Sequence, residues 1–94
     1  MLGTIYFKTG MMLDNELLQL VHLRLAMGEK VPAHDHKGQE VFFTLIRGEV
    51  AVTLNESETH RLSVGQVLHF AGEAKVAVEA LADSECFVYL IHRR

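Results

Sequence analysis

Short stretches in which apolar and polar residues alternate follow one another along the chain. In QLVHLRLAM, residues 19–27, apolar side chains take every second position, and His22, Arg24 and Ala26 lie between them. Because successive side chains of a strand point to opposite faces, this period of two predicts a half-buried strand. Five further stretches rich in β-branched or aromatic residues also predict strands: residues 40–46, 49–54, 67–70, 75–81 and 86–91.

Turn signals that contain glycine, asparagine or serine separate these stretches at intervals of about ten residues. Many short strands at this spacing predict an antiparallel sandwich or barrel. One stretch also suits a helix: in DNELLQLVHL, residues 14–23, either Asp14 or Asn15 could act as the N-cap. Because the alternation that starts at Gln19 favours a strand, we expect at most a single helical turn there.

The strands at residues 40–46 and 86–91 carry apolar side chains on both parities. In an antiparallel sheet with one face in water, one of the two sets should be polar. A second layer or a partner subunit must therefore cover the extra face, and a homodimer is the simpler explanation. Phe43 and Tyr89 are candidates for that outer face. The alternative is that scattered apolar residues are simply exposed.

Length and composition restrict the class of protein. A chain of 94 residues, 49% hydrophobic and 22% charged, is expected to form one globular domain over residues 1–94. The net charge is −3, and the only basic run is Arg93-Arg94, so neither nucleic acid nor an anionic membrane is expected as a partner. A domain this small buries a limited core, which also favours association.

The single cysteine, Cys86, excludes an internal disulfide framework and fits a reducing compartment. Its neighbours in SECFVYLI indicate a buried core thiol rather than a reactive one. The sequence shows neither a signal-peptide pattern nor an apolar run of the roughly 18 residues that a membrane helix needs. We therefore expect a cytoplasmic protein.

The stretch HDHKGQE places His34, His36 and Glu40 close together in sequence. On a strand, residues two apart leave the same face, about 6.6 Å apart at Cα, so the two imidazoles could share one ion. A turn would then bring the carboxylate of Glu40 to the same point. Two imidazoles and one carboxylate suit Fe(II), Mn, Ni, Cu or Zn, and ligand type alone does not choose among them. The alternative is a polar turn that is rich in histidine.

The stretch from Gly28 to Gly48 resembles the first motif of the cupin superfamily. That motif reads G, five residues, H-x-H, three or four residues, E, six residues, G. The named positions are all filled, although seven residues separate Glu40 from Gly48, a difference that a β-bulge could absorb. The resemblance covers roughly residues 17–92. It implies an all-β, single-domain, RmlC-like antiparallel β-barrel, also called a double-stranded β-helix or jelly roll, with a divalent metal ion inside.

The second cupin motif places its histidine ligand after a glycine, five residues, Pro, x, Gly and two further residues. Counting from Gly65 puts Val76 at the histidine position, whereas aligning Gly72 with the second family glycine puts Lys75 there. Neither residue is an ordinary metal ligand. The site would therefore have three protein ligands, or it would have lost its metal.

The other histidines offer two possible extra ligands, His69 and His92. His22 and His60 are expected in solvent. If Glu40 points into the barrel, alternation places three residues of its strand beside the site as an apolar pocket with one hydroxyl: Phe42, Thr44 and Ile46. Plain core packing is the alternative. Lys75 at the vacated ligand position could bind an anionic substrate or repel a metal, and the alternative is a surface lysine at a turn.

Three functions remain open, and the first is preferred. The first is a metal-dependent cupin, dioxygenase-like or isomerase-like, in which His34, His36 and Glu40 hold a divalent ion that meets a small organic substrate. The second is a non-catalytic, ligand-binding or sensory cupin. The third is a metal-free barrel in which these side chains form a hydrogen-bonded cluster. The sequence indicates neither the substrate nor the reaction.

Overall fold

The computed structural model describes residues 2–94, which form nine β-strands and no helix. The predicted all-β fold is confirmed. The strands are β1 Gly10–Asp14, β2 Leu18–Leu25, β3 Lys30–His34, β4 Gln39–Arg47, β5 Val50–Leu54, β6 Glu58–Leu62, β7 Val67–Ala71, β8 Val76–Ala80 and β9 Ser84–His92. No helix within residues 2–94 has the length and hydropathy needed to cross a membrane.

The nine strands form two antiparallel sheets that enclose one core. The five-stranded sheet has the order β1-β2-β9-β4-β7, and the four-stranded sheet has the order β3-β8-β5-β6. Inward side chains of both sheets meet in a single apolar cluster, in which Leu45, Val50 and Val52 are completely buried. This arrangement of two packed sheets belongs to the antiparallel sandwich or barrel class that the strand spacing predicts.

One difference from the predicted elements has a simple physical cause. The strands β1, β3 and β6 lack a clear apolar alternation, and β3 contains Pro32, so their patterns gave no strand signal. No helical turn forms at residues 14–23, which agrees with the expectation of at most one turn there. Instead, the Asn15 side-chain oxygen accepts hydrogen bonds from the backbone N–H groups of Leu17 and Leu18, at 2.9 and 3.0 Å, and turns the chain between β1 and β2.

The inward face of β4 consists of Gln39, Val41, Phe43 and Leu45, all of which are buried. Phe43 is only 3% exposed, so its prediction as an outer residue is wrong. Both parities of this strand are apolar, and the pattern alone could not distinguish the inner set from the outer one. On β9, Val88 and Leu90 are buried and Tyr89 lies between them on the outer face, as expected.

Candidate functional site: an apolar pocket with two histidines

A β-bulge in β3 determines where His34 lies. Val31 pairs with Val78 on β8 and His34 pairs with Val76, so three steps along β3 correspond to two steps along β8. The extra residue, at Pro32 or Ala33, shifts the alternation of the strand. As a result, Val31 and His34 both line the same pocket although their numbers differ in parity, and the His34 side chain is exposed there.

The rings of His34 and His36 lie edge to face, with their centroids 4.7 Å apart. The Nδ1 atom of His34 lies 2.9 Å from the carbonyl oxygen of Pro32. Because a carbonyl oxygen only accepts, Nδ1 carries the proton, and Nε2 remains free to accept a hydrogen bond from a ligand or to bind an ion. Burial, and next the charge of His34, lower the pKa of His36.

The turn that carries His36 rests on Gly72, which precedes β8. The backbone N–H of His36 donates to the Gly72 carbonyl at 2.7 Å, and the Gly72 N–H donates to the Gln39 carbonyl at 2.7 Å. A Cβ atom at position 72 would lie 2.0 Å from the His36 carbonyl oxygen and 2.6 Å from that of Gln39. Only glycine allows the two turns to approach so closely.

The two histidines lie at one pocket of about 100 Å³ between the sheets. Ten apolar side chains supply the rest of its lining: Val21, Leu23, Val31, Val41, Phe43, Phe70, Val76, Val78, Val88 and Leu90. The polar groups of the pocket are therefore confined to the two imidazoles. An apolar concave site with few convergent polar groups is typical of small-molecule binding.

The structure does not bring Glu40 together with the two histidines. Its strand neighbour Val41 takes the inward position, so the carboxylate of Glu40 lies on the outer face of the sheet. There it contacts the Nε2 atom of His69 and the Nη1 atom of Arg93, each at 2.8 Å. The bulge of β4 lies further along, between Leu45 and Arg47, and cannot change the face of Glu40.

Val41 is the residue that the cupin spacing places at the glutamate position when it is counted backwards from Gly48. Six residues separate Val41 from Gly48, and four separate it from His36, which satisfies both permitted intervals of the motif. The alternative count was visible in the sequence. The count forward from His36 fits Glu40 as well, because three intervening residues also satisfy the motif.

In the second motif, the count from Gly65 identifies the residue that lies in the pocket, Val76. Val76 is 4% exposed and lines the pocket, whereas Lys75 is exposed and its backbone N–H donates to the Asn55 side chain at 2.9 Å. Lys75 is therefore not among the pocket residues. The site thus has a valine at each of the two positions that the family motif reserves for the glutamate and the final histidine.

The other predicted pocket residues lie on the outer face of β4 together with Glu40. Phe42 stacks on the ring of His69 with centroids 4.3 Å apart, Thr44 is half-buried, and Ile46 is 38% exposed. These positions follow from the inward parity of Val41. The β4 residues that line the pocket are Val41 and Phe43, which lie on the inward face of the strand.

The remaining histidines lie outside the pocket. His92 contacts the Gln39 side chain at 3.3 Å and the Asn15 carbonyl at 3.1 Å. His60 pairs with Glu58 on β6. The prediction of His22 in solvent is wrong. Its side chain is only 12% exposed, because it packs beside Phe87 and bonds to Glu85 at 3.1 Å.

A metal ion of the kind that the cupin motif implies does not fit this donor set. Within residues 2–94, no three side chains of His, Cys, Asp and Glu come together as an ion-binding group. The two imidazoles face Val41 and Val76, which offer no lone pair. Three or four donors are the usual requirement for a firmly held transition metal.

The sequence model of the family described as Cupin domain matches residues 21–92. The chain belongs to the cupin family. An uncharacterised protein of Methanocaldococcus jannaschii is 26% identical over 68 residues, a match that covers 72% of this cupin but spans only 58% of that relative's length.

Solved structures agree with this cupin in fold. The crystal structure of an RmlC-like cupin from M. jannaschii, with a double-stranded β-helix fold, has a TM-score of 0.85 at 24% identity and covers 98% of this chain and 93% of that one. An RmlC-like cupin from Desulfovibrio desulfuricans has a TM-score of 0.81 at 18% identity, with 97% and 92% covered. KdgF from Halomonas sp. has a TM-score of 0.77 at 24% identity, with 89% and 78% covered. At these identities the likeness shows the fold alone.

Proposed function

We propose that this cupin is a ligand-binding protein whose interior takes a compact apolar molecule with one hydroxyl group, such as a small alcohol or phenol. The observation that carries the proposal is the lining of the pocket. Ten apolar side chains surround a space in which the two imidazoles of His34 and His36 supply the polar contacts. Such a site binds the apolar body of a ligand and orients its single polar end.

The size of the pocket restricts the ligand. A dry apolar cavity of about 150 Å³ is known to bind benzene. The pocket here is about 100 Å³, so the buried part of a ligand amounts to about four to six non-hydrogen atoms, and the exposed His34 is part of its lining. A ring that enters the apolar part therefore leaves its substituent at His34 and His36.

The chemistry of the imidazoles favours a hydroxyl group. The contact of His34 Nδ1 with Pro32 leaves its Nε2 as an acceptor, and a neutral His36 can donate through one ring nitrogen. A hydroxyl group both donates and accepts, so it can bond to both rings at once. His34 is exposed and His36 is half-buried, so a ligand without a polar group would leave without partners those ring nitrogens that it covers, at a cost of about 1–3 kcal/mol for each nitrogen that loses contact with water.

Val41 and Val76 support a binding role rather than a metal-dependent reaction. They occupy the places where the cupin motif has a carboxylate and a third imidazole, and each adds apolar surface to the pocket. The preferred sequence-based hypothesis required Glu40 as the third ligand. The second hypothesis, a non-catalytic ligand-binding cupin, agrees better with the inward position of Val41.

The test compares three probes of similar ring size: benzene, phenol and benzoate. Each is titrated into protein labelled at its valine and leucine methyl groups, and the methyl NMR shifts are followed. We expect phenol to shift the methyl signals of Val41 and Val76. We also expect phenol to bind at least about tenfold more tightly than benzene, a ratio of affinities that corresponds to about 1.4 kcal/mol. If no probe moves these signals, the proposal is wrong.

Two variants make the test specific. The double substitution His34→Ala and His36→Ala should reduce the affinity for phenol to that for benzene. His60→Ala serves as the matched control, because His60 lies on β6 outside the pocket and should leave all three affinities unchanged. Tighter binding of benzoate than of phenol would contradict the assignment of a hydroxyl group.

A further inference from the structure

The chain makes a four-residue β-turn from His36 to Gln39. The Gln39 N–H donates to the His36 carbonyl at 3.1 Å, and Gly38 has a φ of +82°. This hydrogen bond and a positive φ at the third residue are characteristic of a type II turn, which favours glycine there. The half-buried His36 is the first residue of the turn and lines the pocket. The position of its ring therefore depends on the contacts that hold the turn.

Both polar groups of the Gly38 backbone are held by residues outside the turn. Its N–H donates to the Oε2 atom of Glu73 at 3.0 Å. Its carbonyl accepts from the backbone N–H of Arg93 at 2.9 Å. The Arg93 side chain completes the group, because its Nη2 atom donates to the same Oε2 atom of Glu73. We call these three residues, Gly38, Glu73 and Arg93, the clasp.

The clasp joins the turn of His36 to the turn that precedes β8. Gly72 of that second turn already bonds through its backbone to His36 and Gln39, at 2.7 Å each. Glu73, the next residue, adds a bond from its side chain to Gly38. Two neighbouring residues of one turn thus hold the other turn at different points. Of these contacts, the one from Glu73 can be removed without altering the backbone.

Arg93 also connects Glu40 to the clasp. Its Nη1 atom donates to the Oε2 atom of Glu40 at 2.8 Å, and the Oε1 atom of Glu40 lies 2.8 Å from the His69 Nε2 atom. The guanidinium group therefore lies between two carboxylates and uses a different nitrogen for each. Such paired contacts fix the geometry of an arginine as well as neutralise its charge. Glu40, which does not face the pocket, is thereby linked to the turn of His36.

The Glu73 side chain acts in the clasp as a carboxylate. The bond with Arg93, and next the bond with the Gly38 N–H, lower its pKa to about 2, so it is ionised at neutral pH. An ionised acceptor binds a backbone N–H more strongly than a neutral one does. Since Glu73 and Arg93 are 51% and 37% exposed, solvent screens their ion pair. The bond to Gly38 therefore contributes most to the position of the turn.

We propose that Glu73 and Arg93 are positioning residues of the pocket: they hold the turn so that the ring of His36 meets the hydroxyl group of the ligand, and neither touches the ligand. This inference rests on the proposed function. Glu73 and Arg93 are not part of the pocket lining, and its ten apolar residues all lie on strands, whereas the clasp joins two turns to the residue after β9. The clasp therefore affects recognition of the hydroxyl group and leaves the binding of the apolar body unchanged.

The ligand test separates these two contributions. Phenol and benzene are titrated into the wild type, Glu73→Ala and Glu73→Gln, and the methyl NMR signals of Val41 and Val76 are followed. In Glu73→Ala, we expect the affinity for phenol to fall at least about fivefold and that for benzene to change less than about twofold. Glu73→Gln keeps an oxygen that can accept from Gly38, so it should retain more of the phenol affinity. Equal losses for both ligands, or no loss for phenol, overturn the proposal.

Glu49→Ala is the matched control. Glu49 pairs with Arg61 at 2.6 Å, and neither of these residues lines the pocket. Its removal takes away a comparable exposed ion pair and should leave both affinities unchanged. A loss of phenol affinity as large as that in Glu73→Ala would show a general effect of stability and would overturn the assignment.

Arg93→Met tests whether the arginine acts through Glu73. This variant removes the guanidinium group and keeps the backbone N–H that bonds to Gly38. It should lower the phenol affinity at least about twofold, and the double variant Glu73→Ala with Arg93→Met should lose no more than Glu73→Ala alone. Additive losses would contradict a shared effect on the turn.

The two imidazoles give a measurement that needs no ligand. Since the ring centroids of His34 and His36 are 4.7 Å apart, the wild type should show nuclear Overhauser contacts between them. These contacts should weaken in Glu73→Ala and persist in Glu49→Ala. If phenol has no preference over benzene in the wild type, the proposed function is wrong, and the ring contacts still test the clasp. Unchanged contacts in Glu73→Ala overturn this inference whether or not the pocket binds phenol.

Discussion

Val76 lies directly opposite His34 in the pairing of β8 with β3, and both side chains line the same pocket. Neighbours at opposite positions of an antiparallel pair share a face and lie about 4.5–5.5 Å apart at Cβ. The position that the cupin motif gives to a metal-binding imidazole is therefore occupied here by a buried isopropyl group. Because Val76 occupies this position, the side chain opposite His34 in the pocket is apolar.

Gly72 is expected to control the position of His36. In Gly72→Ala, the new Cβ would lie 2.0 Å from the His36 carbonyl, and relief requires movement of the backbone. We expect a loss of stability of about 2 kcal/mol or more, measured by denaturant unfolding. Gly3→Ala is the control, since a Cβ there meets nothing within 4 Å. Equal stability of the two variants would contradict the close approach of the turns.

Acid sensitivity should depend on Glu73. The bond with Arg93 and next the bond with the Gly38 N–H lower the pKa of Glu73 from 4.5 to about 2. Since the pKa is lower in the folded chain, the carboxylate stabilises the fold above pH 4.5, and this contribution disappears as the pH falls from about 4.5 to about 2.

The measurement compares thermal unfolding of the wild type, Glu73→Gln and Glu16→Gln between pH 2 and pH 6. The wild type should be more stable than Glu73→Gln at pH 6, and the difference should decline towards pH 2. Glu16, an exposed residue between β1 and β2, serves as the control. A difference between wild type and Glu73→Gln that stays constant over this range would show that Glu73 does not titrate as described.

Cys86 should be inert in the folded protein. Its side chain is completely buried, and burial, with the charge of Glu85 as the second cause, raises the pKa of the thiol to about 12. We expect no modification by a water-soluble disulfide reagent at pH 8 until denaturant is added, because the thiolate is the reactive form. Rapid labelling of the native chain would contradict the burial of β9.

Sequence reasoning was most reliable where one face of a strand is apolar and the other polar. The alternation of β2 and the turns at Gly48 and Gly65 led to the barrel, and the H-x-H motif led to the family. It was least reliable in β4, where Val41, Phe42 and Phe43 are all apolar. Two registers then have similar hydrophobic content, and only the pairing with neighbouring strands selects one.

The site illustrates the same limit. The bulge at Pro32 or Ala33 makes the exposed His34 part of the pocket lining, and a single extra residue in a strand is not visible in a hydrophobic pattern. The spacing from Gly48 did point to Val41, and the spacing from Gly65 pointed to Val76. Each count gives an apolar residue at a ligand position, and the carboxylate of Glu40 beside Val41 is a competing signal in the sequence.

Elemental analysis tests the account most directly, because the central claim is that Val41 and Val76 have replaced two metal donors. Untagged wild-type protein and the double variant Val41→Glu with Val76→His are incubated in turn with Fe(II), Mn(II), Ni(II) and Zn(II) and then desalted. The account predicts well under one ion per chain in the wild type and about one in the double variant, whereas Lys75→His should behave like the wild type. One tightly held ion per wild-type chain, lost on Glu40→Gln, would contradict it.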